Sequence, residues 1–262
     1  MKQQALPLPP DVRLMNATAT VLFAACAALL VAALGWWVLR NPVFAIRGIV
    51  VQGDVAHNSV ATLRANVLPR LRGNFFTVDL RKTREAFEAV PWVRRAVVQR
   101  QFPNRLRVRL QEHEAEAFWG TDSDSALVNT HGEVFVANPG DVDQEDLPHL
   151  DGPDGSAAQV LAMYRALKPM MEKLDLGIAQ LVLSGRGGWT LTLDSGARVE
   201  LGRGTDDEVL ARSQRFADTL TQVTAKYGRK PEALVTADLR HTDGYAVKLR
   251  GVTTKDTGTQ RN

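Results

Sequence analysis

The chain has 262 residues, 45% of them hydrophobic and 23% charged, which is enough to bury a core in one to three domains. Its single cysteine, Cys26, excludes an intramolecular disulfide framework and a zinc site built on cysteines. The net charge of +3 is unevenly spread, at +2 over residues 1–43, +8 over 44–112 and −7 over 113–262. This asymmetry predicts separate units with different neighbours.

The first predicted element is a membrane-spanning helix over residues 17–39, a run of twenty-three residues without a charge. As a helix the run would extend about 35 Å and cross a hydrocarbon core of about 30 Å. It ends near Trp36 and Trp37, where an aromatic belt is expected. A cleaved signal peptide would have a shorter apolar region ending in a small-x-small site, so the sequence favours an uncleaved anchor.

The charges that flank this helix leave its orientation nearly undecided. Lys2 and Arg13 precede it and Arg40 and Arg47 follow it, so the positive-inside rule is almost balanced. We expect the short tail, residues 1–16, to be cytoplasmic because all the foldable sequence comes after the span.

Residues 44–112 are predicted to fold in the order β-α-α-β-β. Strict alternation in the last strand puts Arg105, Arg107 and Arg109 on one face and apolar residues on the other. The predicted elements are a strand over 44–52, a helix capped by Ser59, a helix over 78–90 that Pro91 stops, and hairpin strands over 92–102 and 105–112.

Residues 113–250 are predicted to form an α/β domain with a mostly antiparallel sheet, followed by a disordered tail, 251–262, that lacks apolar periodicity. A helix over 156–174 contains Pro169, which should kink or split it. A second helix opens with a capping box from Thr205 to Glu208 and carries Val209, Phe216, Leu220, Val223 and Tyr227 on one face. The predicted strands are 117–119, 126–128, 134–136, 180–183, 189–193, 198–201, 234–240 and 245–249, with 138–154 as a loop. The fold class is therefore α+β, with a single N-terminal transmembrane helix before the two domains.

No motif for catalysis or for binding a metal or phosphate stands out in the sequence. The five histidines are scattered, and the acidic segments 122–124 and 141–146 lack the glycine and glutamate of a calcium loop. The glycine-rich segments 185–188 and 202–204 lack the Lys-Ser/Thr of a phosphate loop, and no Gly-x-Ser-x-Gly is present. We therefore predict no catalytic activity, no cofactor and no small-molecule substrate.

The basic block at residues 44–112 raises the question of nucleic acid. No aromatic platform interleaves its charges, and a membrane anchor that exports the domain would remove it from nucleic acid, so we predict no nucleic-acid partner. Anionic inner-membrane lipid, an acidic protein partner and a plain solvated face remain as alternatives.

Six segments in order carry a family resemblance that no single one would carry. In the first unit they are Phe44–Gly53, Val90–Val93 and Phe102–Leu106; in the second they are Trp189–Leu193, Leu201–Gly204 and Ala237–Arg240. As a set, over about residues 15–250, they resemble the FtsQ/DivIB family of bacterial division proteins. The first unit is similar to that family's POTRA domain.

The resemblance implies a non-catalytic scaffold of the divisome that links early cytoplasmic to late periplasmic division proteins. It implies a single-pass type II protein of the cell inner membrane, with its bulk in the periplasm at the division septum. The implied partners are FtsB and FtsL as a complex, with FtsK, FtsW, FtsI and FtsN as further candidates. A partner strand would add to an exposed sheet edge, and the implied binding residues are Arg186, Arg240, Tyr245, Ala246, Val247, Lys248 and Leu249.

Two other classes of protein are weighed against this one. A POTRA-bearing envelope chaperone or transport component that handles exported polypeptides would need repeated POTRA units or a barrel-length array of strands. A periplasmic cell-wall enzyme would need a nucleophile or a metal set. The sequence also departs from the family at His241, where relatives place an aromatic residue directly after Asp-Leu-Arg.

Overall fold

The computed structural model describes residues 10–53, 56–120, 126–141, 147–241 and 244–252. The chain divides into two compact units, Met1–Glu112 and His113–Asn262. The predicted disordered tail therefore lies outside the described residues except for Gly251 and Val252, as do the acidic segment 122–124 and most of 141–146.

A long helix, α1 (Pro10–Arg40), contains the predicted span and starts seven residues before it. Pro10 in the first turn and Asp11 beside it suit a helix N-terminus, which extends the helix into the predicted tail. Among the described residues, Leu14–Val38 is the one segment that is long and apolar enough to cross a membrane. At its end the guanidinium of Arg40 lies 4.1 Å from the ring centroid of Trp36.

The first unit has the predicted β-α-α-β-β order. Its described strands β1 (Gly48–Gly53), β2 (Val93–Gln101) and β3 (Arg105–Glu112) form a sheet in the order β1-β3-β2, with β1 parallel and β2 antiparallel to β3. Helices α2 (Val60–Val67) and α3 (Leu80–Glu88) close a core that includes Leu63, Val67, Phe87, Val93, Val108 and Leu110.

The predicted strand over 44–52 begins later than expected, and the alternation of β3 is as predicted. Pro42–Phe44 forms a 3-10 turn in which the side chain of Asn41 accepts the N–H of Val43, so the chain becomes extended only at Gly48. In β3, Leu106 and Val108 are fully buried while the three arginines are exposed.

The second unit is a nine-stranded sheet within the described residues, in the order β12-β11-β10-β9-β8-β7-β4-β5-β6. Five of its eight strand pairs are antiparallel, which confirms a mostly antiparallel sheet. Helices α4 (Ala157–Glu172) and α5 (Asp206–Ala225) pack against the sheet and against each other. The strands are β4 (Ala115–Trp119), β5 (Ala126–Asn129), β6 (Val134–Val136), β7 (His149–Asp151), β8 (Ile178–Leu183), β9 (Trp189–Leu193), β10 (Arg198–Gly202), β11 (Leu234–Asp238) and β12 (Ala246–Leu249).

Two predictions for this unit are wrong, and a third is wrong in part. The predicted loop 138–154 contains β7, which pairs parallel with β4 and β8 and buries Leu150 completely. The expected split of α4 at Pro169 is absent, because Pro169 lies on the exposed side near the helix end, where water can reach the carbonyl that loses its bond. Tyr227 lies beyond the end of α5 and is 54% exposed.

The start of α5 is as the sequence predicts. The N–H of Glu208 donates to the hydroxyl of Thr205 at 3.3 Å, and the Glu208 carboxylate accepts the N–H of Thr205 at 2.9 Å. These bonds satisfy two donors that the first turn of a helix leaves open. The capped helix then places Phe216 in the core under the last strand of the sheet.

Candidate partner-binding edge

Strand β12 is the edge strand at one end of the distal sheet. It pairs with β11 on one side, and in the described part of the chain no strand lies on its other side. The N–H of Arg250, just past the strand, donates to the carbonyl of Ala233 at 2.8 Å, towards β11. Since alternate residues of a strand turn their N–H groups to opposite sides, those of Val247 and Leu249 point to the open side. Such a row of unpaired groups can bind an added strand.

Tyr245 holds the start of β12 against α5. Its hydroxyl lies 2.7 Å from Oγ1 of Thr219, and its ring meets that of Phe216 edge-to-face at 5.1 Å. Thr219 already donates its one hydroxyl proton to the carbonyl of Arg215 at 2.7 Å, so Tyr245 is the donor in this pair. The predicted strand Tyr245–Leu249 thus begins one residue later, at Ala246, and the Tyr245 side chain points inward.

We expect Tyr245→Phe to lower the free energy of unfolding of the second unit by about 1 kcal/mol, because one partly buried hydrogen bond is lost. Hydrogen exchange of the β11 and β12 amides measures this change. Thr219→Val and the double variant complete a thermodynamic cycle. Fully additive effects of the two substitutions would contradict a direct bond between the hydroxyls.

The outer face of the same strands carries a groove of about 360 Å³. Ala246 and Lys248 of β12 lie along it, because Val247 and Leu249 turn towards the core. Val247 also borders the groove, and the lining residues from β10 and β11 are Arg198, Glu200, Thr236, Ala237 and Asp238.

The charges of this groove favour an acidic partner. Both of its carboxylates are already paired: Glu200 accepts a bond from Arg198 at 2.8 Å, and Asp238 accepts bonds from Arg240. Among the described residues no carboxylate lies within 4.0 Å of the ammonium of Lys248. An incoming acidic segment would therefore meet an uncompensated cation beside the open edge.

Arg240 forms an ion pair and three hydrogen bonds with Asp238 at the end of β11. Its Nε lies 2.9 Å from Oδ1 and its Nη2 lies 2.6 Å from Oδ2, while its backbone N–H also donates to Oδ1 at 3.0 Å. These bonds lower the pKa of Asp238 from 3.8 to about 2. The Arg240 side chain is nevertheless 62% exposed.

We expect Arg240→Ala to raise the pKa of Asp238 towards 3.8, because the side-chain bonds that favour its charged form are lost. Because this pKa is lower in the folded state, the pair stabilises the native state above about pH 4 and loses that contribution as the pH falls towards 2. An NMR titration of the Asp238 carboxyl carbon measures the shift. His241→Ala, which removes only a minor contribution, serves as the control.

Arg186 lies at the same end of the sheet as Arg240, in the exposed turn between β8 and β9. Trp189, at the start of β9, pairs with Gly202 of β10. A Cβ at Gly202 would lie 2.8 Å from Cγ of Arg240, so the two arginines flank one end of the sheet. Strands β9 and β12 are three spacings apart, about 14 Å, which one bound segment can span.

The structure brings some of the predicted site residues together and separates others. The groove or its end brings together Arg240, Ala246 and Lys248. Val247 has an N–H that points to the open side of β12, whereas Arg186 lies further along the sheet. Three further residues of this region were not predicted from the sequence: Arg198, Thr236 and exposed Arg203, which follows Gly202 at the same end of the sheet. Alternation in β10 and β11 was the signal that could have placed Arg198 and Thr236 on the outer face.

An N-terminal apolar helix, a β-α-α-β-β unit and a mixed sheet with an open edge define a class of POTRA protein with a membrane-type helix. Residues 44–113 match the family described as POTRA domain, FtsQ-type. Residues 117–240 match the family described as Cell division protein FtsQ/DivIB, C-terminal, a match that ends just before β12.

Similar proteins extend over most of the chain. The chain is 42% identical to the cell division protein FtsQ of Burkholderia pseudomallei over 92% of its own length and 94% of that protein. For the cell division protein FtsQ of Thiomonas arsenitoxydans the identity is 40%, over 94% of this chain and 90% of that protein. The chain belongs to the FtsQ/DivIB family of cell division proteins, and the resemblance expected from the sequence is confirmed.

Proposed function

We propose that this chain is a non-catalytic scaffold of the bacterial divisome that binds FtsB and FtsL through the open edge of β12. The observation that carries the proposal is that edge, within a member of a cell-division family. A strand added along β12 would use the N–H groups of Val247 and Leu249, while Lys248 and Arg240 would attract acidic side chains beside it.

The proposed place of the protein is the cell inner membrane at the septum, as a single-pass type II protein. Helix α1 supplies the span by length and composition, and everything with a buried core follows it. The N-terminus would then be cytoplasmic and both units periplasmic. In this arrangement the chain links early cytoplasmic to late periplasmic division proteins, and FtsK, FtsW, FtsI and FtsN are further candidate partners.

The decisive test titrates the full chain, reconstituted in nanodiscs, with the periplasmic segment of FtsB and follows backbone hydrogen exchange. We expect new protection at the amides of Val247 and Leu249, with little change in β6 at the opposite edge. Binding with protection elsewhere would refute strand addition at β12. A folded chain that binds neither FtsB nor the FtsB–FtsL pair would refute the proposed scaffold role.

A further inference from the structure

The first unit carries exposed apolar side chains where the chain leaves α1. Val43 is 56% exposed, Phe76 43% and Phe102 75%. We call these three residues the aromatic rim, because two of them are phenylalanines and Val43 lies beside a third, Phe44. Large apolar side chains grouped on a surface mark an interaction site more often than scattered ones do.

Ring contacts join the rim into one patch. The ring of Phe76 lies 4.9 Å from that of Phe44, which follows Val43 directly. Phe75 contacts Phe76 at 5.2 Å and Phe102 at 6.1 Å. The patch therefore combines three chain segments that are far apart in sequence.

The loop that presents Phe76 is held rigidly. The side chain of Asn74 accepts the N–H of Phe76 at 3.0 Å. From β2, Arg100 donates to the carbonyl of Phe75 at 2.7 Å and to that of Val78 at 2.8 Å. The hydrogen bonds from Asn74 and Arg100 thus hold the loop in the conformation that exposes the Phe76 ring.

The rim is close to the end of the apolar helix. Helix α1 ends at Arg40, and Phe44 lies four residues further on, so the two are at most about 14 Å apart. The N–H of Phe75 donates to the carbonyl of Phe44 at 2.9 Å, which ties the rim to this exit segment. Since Trp36 and Trp37 are at the expected membrane interface, the rim lies within reach of the same headgroup region.

Exposed arginines flank the rim in the chain segments that form it. Arg47 donates its backbone N–H to the carbonyl of Asn104, two residues after Phe102, and Arg72 precedes the loop that carries Phe76. Arg105 follows Asn104 as the first residue of β3 and is also exposed. No carboxylate of the described residues lies within 4.0 Å of the guanidinium groups of these three arginines.

We propose that the aromatic rim seats in the headgroup region of an anionic bilayer, on the side where α1 emerges, with Arg47, Arg72 and Arg105 facing lipid phosphates. The inference rests on the proposed function only in taking α1 as a membrane anchor. Apolar and aromatic tips with adjacent cations are the combination that binds an anionic lipid interface. An acidic protein partner would account for the exposed arginines but not for the exposed apolar side chains of the rim.

The test uses the full chain in nanodiscs of phosphatidylethanolamine and phosphatidylglycerol. In a Cys26→Ala background, Phe76→Cys or Phe102→Cys carries an environment-sensitive fluorophore, and spin-labelled lipids serve as quenchers. The control is Arg95→Cys, because exposed Arg95 lies seven residues along β2 from Phe102, about 23 Å away. We expect blue-shifted emission and at least threefold stronger quenching at both rim positions than at the control.

The native cysteine separates failure of this proposal from failure of the anchor. A fluorophore on Cys26, in the middle of α1, should be quenched by deep spin labels if the helix spans the bilayer. Quenching at Cys26 together with control-like signals at Phe76 and Phe102 would overturn the rim proposal and leave the anchor intact. Loss of quenching at Cys26 would overturn the anchor, and the rim proposal with it. Rim labels that respond to added FtsB and not to lipid would overturn the rim proposal in favour of a protein contact.

Discussion

Val247→Pro is expected to weaken binding of the FtsB periplasmic segment at least tenfold while leaving the β11–β12 pairing in place. Proline has no N–H, and the N–H of Val247 is one of the two that point to the open side of β12. The lost bond and the clash of the ring with an added strand together should exceed the 1.4 kcal/mol that corresponds to a factor of ten. Isothermal titration with the full chain in nanodiscs measures the change.

Two matched variants make this result specific. Val247→Ala removes the side chain and keeps the N–H, so it should retain most of the affinity. Lys248→Pro removes a donor that points to β11, and it should therefore destabilise the edge itself, which hydrogen exchange at β11 would reveal. Unchanged binding by a folded Val247→Pro protein would rule out backbone pairing along β12.

Phe216→Ala is expected to lower the free energy of unfolding of the second unit by about 3–5 kcal/mol, the usual cost of removing a buried phenylalanine. Its side chain is fully buried in α5 and packs against Tyr245, which anchors the start of β12. Hydrogen exchange of the β9 to β11 amides measures the loss. Binding at the edge should weaken as well, because the end of β12 loses its support.

Tyr227→Ala is the control for this substitution. Tyr227 follows the same helix and is 54% exposed, so its removal should change the free energy of unfolding by less than about 0.5 kcal/mol. A similar loss in both variants would mean that Phe216 is not a principal core residue of the unit.

Local sequence rules predicted the structure correctly where the hydrophobic pattern of the sequence agrees with the observed burial. The alternation of Arg105 to Leu110 and the capping box at Thr205 depend on neighbouring residues alone, and both are present as predicted. Strand β7 was missed because its three residues lie among prolines, glycines and acids, and its support comes from two parallel neighbours and from the packing of Leu150 in the core. No local pattern records such tertiary support.

The candidate site likewise has features that could be predicted from the sequence and features that could not. Residues 245–249 were predicted as an edge strand from the family resemblance, whereas the inward anchoring of Tyr245 depends on Thr219 and Phe216 of a helix earlier in the chain. The groove on the outer face was also missed, because β10, which contributes to it, is separated in sequence from β11 and β12 by the whole of α5. Pro169 was expected to kink or split α4, and the absence of a split could not be predicted because the exposed position of Pro169 depends on the tertiary fold.

The strand that carries the open edge is also the last described strand in chain order. If the unit is exported as proposed, its residues emerge after those of the other eight described strands of the sheet and of both helices that cover it. A nascent chain that has released residues only up to Arg240 could assemble nearly all of the core cluster, yet it would lack β12 and with it the open N–H groups of Val247 and Leu249. Recruitment through this edge would thus be restricted to chains in which translation and translocation have passed β12.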